Sequence, residues 1–125
     1  MYEMDPADAK VQNNLAQVSL LLDADVDRAR KLAGDLHHRE PSNVAFATTY
    51  AYALYKNRDI KGAVQVMAGL PEKQLTDPPV AAYYGLFLTA TGDGANAKRY
   101  LKLGEKAQLL PQEREMLTKA AQAVP

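Results

Sequence analysis

Residues Tyr50–Met67 read YAYALYKNRDIKGAVQVM, and Tyr84–Leu101 read YGLFLTATGDGANAKRYL. The two stretches align without a gap at an offset of 34 residues. Tyr50 falls on Tyr84, Ala51 on Gly85, Leu54 on Leu88, Asp59 on Asp93, Ala63 on Ala97 and Met67 on Leu101. Each stretch is an apolar helical run, a polar break and a second apolar helical run. A fixed period of this length marks one supersecondary unit that must stack on its neighbours to bury its apolar face.

Working outward, Ala29 lies a further 34 residues before Ala63. Ala16 aligns with Ala51 once one extra residue is allowed in the turn Asp23-Ala24-Asp25-Val26-Asp27. The first helix of each unit therefore carries Ala16, Ala51 or Gly85, and the second Ala29, Ala63 or Ala97. Small residues at both places let two helix axes approach for ridge-into-groove packing.

The rest of the chain fits this frame. Pro6 suits a first helical turn with Asp5 as its cap. Helix one then runs to about Leu22, with Val11, Leu15, Val18 and Leu22 on one face, expected to point inward. Helix two spans about Val26–His38, helix three Val44–Lys56 and helix four Ile60–Leu70. Pro71–Thr76 is expected to be a loose connector. Asp77-Pro78-Pro79 starts helix five, which runs to Ala90. Helix six covers about Ala95–Leu109. A last helix, Gln112–Ala123, turns Met116, Leu117, Ala120 and Val124 inward and Glu113, Glu115, Lys119 and Gln122 to solvent. The expectation is seven helices and no strand.

A length of 125 residues suits one domain. Fifteen basic residues balance fifteen acidic ones, which argues against a general nucleic-acid binder. There is no cysteine, so disulfides, thiolate catalysis and cysteine-bound zinc are excluded. No apolar run is long enough to span a bilayer, so no direct membrane insertion is expected. The acidic start MYEMDPADAK has no apolar core and is not a signal peptide. A soluble protein of cytoplasm or periplasm fits equally.

The repeat resembles the tetratricopeptide repeat family. The resemblance runs from about Asp5 to Pro111. It rests on Asn14-Leu15-Ala16, Tyr50-Ala51 and Tyr84-Gly85, on Leu54 and Leu88, on the turn aspartates, on the three alanines and on Pro41. No tryptophan opens any first helix; Gln12, Ala47 and Ala81 stand there. The family implies an all-α right-handed solenoid of three helix pairs, about residues 9–43, 44–77 and 78–111, with 112–123 as a capping helix. Met4-Asp5-Pro6 is similar to the aliphatic–acidic–proline end of a repeat, implying a segment of a longer protein.

In this family the first helices line a concave groove for a peptide or a partner helix. Carried over by position, repeat one contributes Asn13, Gln17, Leu20 and Leu21. Repeat two contributes Thr48, Thr49, Tyr52, Tyr55 and Lys56. Repeat three contributes Ala82, Tyr83, Leu86, Thr89 and Ala90. Tyr52, Tyr55 and Tyr83 stand out as candidate ligand contacts, since tyrosine offers large area and a polar tip. Truncating Tyr52 and Tyr83 is expected to spare folding. The other reading makes these tyrosines cover the next helix or a neighbouring subunit. The resemblance implies a protein or peptide partner, no cofactor and no catalysis. Self-association through an open end, or an accessory role in a larger enzyme or assembly, are the alternatives.

Other motifs have plainer explanations. The chaperone-tail clamp of some family members needs cations, but the matching positions are Asn13, Gln17, Thr49, Ala82 and Leu86, and a carboxylate held without a cation is costly. The aspartates of Asp23–Asp27 lack the glycine and glutamate of a calcium loop. Adjacent His37 and His38 do not share a helix face for a metal. Thr91-Gly92-Asp93-Gly94 has neither the strand nor the lysine of a phosphate loop. Arg28, Arg30 and Lys31 lie among acids on a solvated helix.

Overall fold

A computed structural model describes residues 6–123. They form α1 (Pro6–Leu21), α2 (Val26–Arg39), α3 (Val44–Lys56), α4 (Ile60–Ala68), α5 (Glu72–Leu75), α6 (Pro78–Thr91), α7 (Gly94–Gly104) and α8 (Pro111–Ala123). No strand occurs among the described residues. The Met4-Asp5 part of the repeat-end motif, the proposed Asp5 cap and Val124 lie outside them.

Local chemistry sets the helix starts. Asn43 accepts a hydrogen bond from the Phe46 N–H at 3.1 Å, and Asp59 from the Gly62 N–H at 3.0 Å. Asp93 does the same for Asn96 at 3.4 Å. Each satisfies a donor the helix cannot. The three helix–helix turns pass through the left-handed region at equivalent places, Asp23 (φ 53°), Arg58 (φ 65°) and Gly92 (φ 85°). The first turn also places Asp25 there (φ 51°), which accommodates its extra residue.

Helices pair as α1 with α2, α3 with α4 and α6 with α7, and α1, α3, α6 and α8 then pack in succession. The small residues sit at the contacts. Ala51, Ala63 and Ala97 are fully buried, and Ala16 and Ala29 nearly so. A side chain on Gly85 would stand 2.8 Å from the Leu101 nitrogen, so only glycine allows α6 and α7 to meet there. Phe87, Leu20, Leu36 and Met67 fill the space between pairs.

Three expectations need correction. The connector contains a short helix, α5, because Gln74 and Leu75 bond back to the Pro71 carbonyl and Leu75 is buried. Helix six stops at Gly104 rather than Leu109, and the chain then turns to carry α8 across α6.

The third correction concerns α1. Its face Val11, Leu15, Val18 and Leu22 is 56, 59, 41 and 56 % exposed. The buried positions are Ala9, Asn13, Ala16 and Leu20. The repeat explains why. Val11, Leu15 and Val18 correspond to Phe46, Tyr50 and Ala53 in α3. There the preceding helix α2 provides the cover: Phe46 packs with Leu32 and Leu36, and Tyr50 stacks on His37 at 5.2 Å. Among the described residues no helix pair precedes α1.

Candidate functional site

The first helices α1, α3 and α6 lie side by side and present their inner faces to one cleft of about 350 Å³. Asn13, Asn14 and Gln17 line it from α1, and Val44, Ala45, Thr48 and Thr49 from α3. Asp77, Pro79, Val80 and Tyr83 line it from the start of α6. No lysine or arginine is among these residues.

This brings together Asn13, Gln17, Thr48 and Tyr83 of the expected site. Thr48 donates its hydroxyl to the Val44 carbonyl at 2.8 Å. Asn13 is only 4 % exposed, and its amide oxygen is buried without accepting a hydrogen bond. Such an unpaired buried acceptor is rare.

Tyr52, Tyr55, Lys56, Leu86 and Thr89 do not line this cleft. Tyr52, Tyr83 and Leu86 are 2, 4 and 4 % exposed, which corrects the expectation of an open tyrosine-lined groove. Tyr52 meets Tyr83 edge-on at 5.3 Å and stacks on Tyr55 at 6.0 Å, while Tyr55 leans on Phe87 at 5.3 Å. The rings pack against one another between α3 and α6. Leu20, also expected in the groove, is fully buried. Lys56 pairs with Asp23 at 2.5 Å, and Thr89 donates to the Gly85 carbonyl at 2.8 Å.

Beside the cleft lies a polar cluster. Glu113 of α8 is 6 % exposed, correcting its assignment to the solvent face. One carboxylate oxygen accepts from the Tyr83 hydroxyl and from the Gln17 amide at 3.1 Å. The other accepts from the Leu110 N–H at 2.9 Å, capping α8. Gln17 also donates to the Tyr83 oxygen at 3.0 Å. The cluster thus joins α1, α6 and α8. Burial first, then the charge of Glu113, pushes the Tyr83 hydroxyl well above the usual phenol range. Tyr52 is pushed up chiefly by burial. The only sequence signal for Glu113 was its place two residues after Pro111, the reach-back position of a helix start.

His37 and His38 share no metal geometry; His37 lies on Tyr50, and His38 Nδ1 is 2.6 Å from the Gly34 carbonyl. Burial, with His38 nearby, lowers the His37 pKa. Among the described residues no cluster of three metal-ligating side chains occurs, and no helix is long and apolar enough to cross a membrane.

A sequence profile described as tetratricopeptide repeat matches residues 20–86, more than half of the chain. The protein belongs to the tetratricopeptide repeat family. Repeats of this family generally mediate protein–protein interaction, and the all-helical fold agrees with an α-α solenoid. No curated protein and no solved structure matches the chain.

Proposed function

We propose that this tetratricopeptide repeat protein is a non-catalytic scaffold that binds a partner peptide in the cleft between α1, α3 and α6. The observation that carries this reading is the cleft's lining of amide and hydroxyl groups contributed by all three first helices. Amides and hydroxyls spaced along a concavity hydrogen-bond an extended backbone, and fixed helices keep them in place. Tyr52 and Tyr55 behind them supply rigidity, while Tyr83 forms part of the cleft wall with its hydroxyl held by Glu113. This reading differs from the tyrosine groove only in which residues touch the partner.

A linear peptide selected from a random display library tests it. The double variant Ala45→Gln, Thr48→Gln narrows the cleft from α3 while leaving the core intact. Capture of the selected peptide is expected to fall at least tenfold with cooperative melting unchanged. Undiminished capture rules the cleft out.

A second reading, self-association, is favoured by the α1 stripe. Val11 and Leu22 are equidistant from the stripe's midpoint, as are Leu15 and Val18. Lys10 and Asp23 flank it at equal distances. Two copies of α1 packed antiparallel would bring Leu15 against the partner's Val18 and Lys10 against the partner's Asp23. Asp23 also pairs with Lys56 of its own chain but remains 69 % exposed. Sedimentation equilibrium at high micromolar concentration is expected to show a dimer that Leu15→Glu dissociates. A monomer throughout sinks this reading.

A further inference from the structure

We infer that the cleft selects a cationic side chain, arginine or lysine, on the peptide it binds; this rests on the proposed peptide-binding role of the same cleft. Two acceptors in its lining are unused. The Asn13 amide oxygen is buried and accepts no hydrogen bond. The Asp77 carboxylate, exposed at the entrance, makes no side-chain cap bond to its own helix. Pro78 and Pro79 occupy the first two helical positions, so of the N–H groups an N-cap side chain can bond only that of Val80 remains, and Asp77 leaves it unbonded. Among the described residues Asp77 takes part in no ion pair either.

The charge balance of the site points the same way. Its lining holds one carboxylate and no cation. The Glu113 carboxylate lies directly behind it, bonded to the cleft residues Gln17 and Tyr83. Both carboxylates contribute negative potential to the cleft, and concave low-dielectric walls concentrate it. A side chain that is all donors and no acceptor fits an acceptor-rich site: guanidinium offers five N–H groups and ammonium three. An acidic group would face Asp77 and Glu113 with nothing to neutralise it. The entrance carboxylate would take the charge, and the buried Asn13 oxygen would receive an N–H donor.

The probes are N-acetyl-arginine methylamide and its uncharged counterpart N-acetyl-norleucine methylamide, titrated into ¹⁵N-labelled protein and followed by NMR. The arginine probe is expected to move the side-chain amide signals of Asn13, Asn14 and Gln17, and the norleucine probe to leave them in place. Asp77→Asn is expected to weaken arginine binding about three- to tenfold and to remove its dependence on salt. Equal shifts from both probes, or no effect of Asp77→Asn, overturn the cationic preference while the cleft reading stands. Shifts from neither probe overturn the preference as well. If the display-selected peptide is then also unaffected by the Ala45→Gln, Thr48→Gln variant, the cleft reading falls with it.

Discussion

Above pH 10 the fold is expected to lose stability at about 2.7 kcal/mol per pH unit, driven by Tyr52 and Tyr83. Both hydroxyls sit in the interior, and burial raises both pKa values in the native state. Glu113 adds to the shift at Tyr83, because a phenolate beside a buried carboxylate is disfavoured twice over. The direction follows from proton counting. Below about pH 10 both native and unfolded tyrosines are protonated, so nothing is lost. Above it the unfolded chain releases protons that the native state retains, and the unfolded state gains. Each tyrosine contributes about 1.4 kcal/mol per pH unit until its native pKa is reached. Urea midpoints followed by circular dichroism at pH 9, 10 and 11 measure the slope. Tyr52→Phe and Tyr83→Phe are each expected to remove about 1.4 kcal/mol per unit of it. A stability that stays flat to pH 11 contradicts the buried placement of these rings.

Replacing Glu113 by alanine is expected to destabilise the protein by about 2–4 kcal/mol. The carboxylate has three partners from three places: Tyr83 on α6, Gln17 on α1 and the Leu110 N–H at the start of α8. Its removal strands the Tyr83 hydroxyl in the interior, which alone costs about 1–3 kcal/mol. It also removes the α8 cap, worth about 1 kcal/mol. Glu113→Gln keeps an acceptor oxygen and is expected to cost less than half as much. Hydrogen exchange should localise the loss to 111–123 and to the inner face of α6. A change within about 0.5 kcal/mol, the range of an ordinary surface substitution, contradicts the buried cluster.

Both predictions rest on placements the sequence did not reveal, and the reason is physical. A period reports which residues share a face of a helix. It does not report what lies opposite. The alanines at 29, 63 and 97 recur because every pair needs the same close approach, so the pairing was legible. Val11, Leu15 and Val18 follow the same period, but the helix that covers their counterparts in α3 has no equivalent before α1 among the described residues. Tyr52 and Tyr83 do not follow the repeat, which suggested a surface role. They differ instead because both are packed inside: Tyr52 meets Tyr83 edge-on, and Tyr83 reaches Glu113 of α8. That contact joins residues 30 and 96 positions apart along the chain, beyond any local pattern.

The cleft between α1, α3 and α6 is the centre of the functional account. Amide chemical-shift mapping of the ¹⁵N-labelled protein against the display-selected peptide tests it most directly. The largest shifts are expected at Asn13, Asn14, Gln17, Ala45, Thr48, Thr49 and Val80, with α2, α4 and the outer face of α7 unmoved. Shifts concentrated on Val11, Leu15, Val18 and Leu22, or on the α7–α8 surface around Lys98 and Lys102, would place the binding face elsewhere and contradict it.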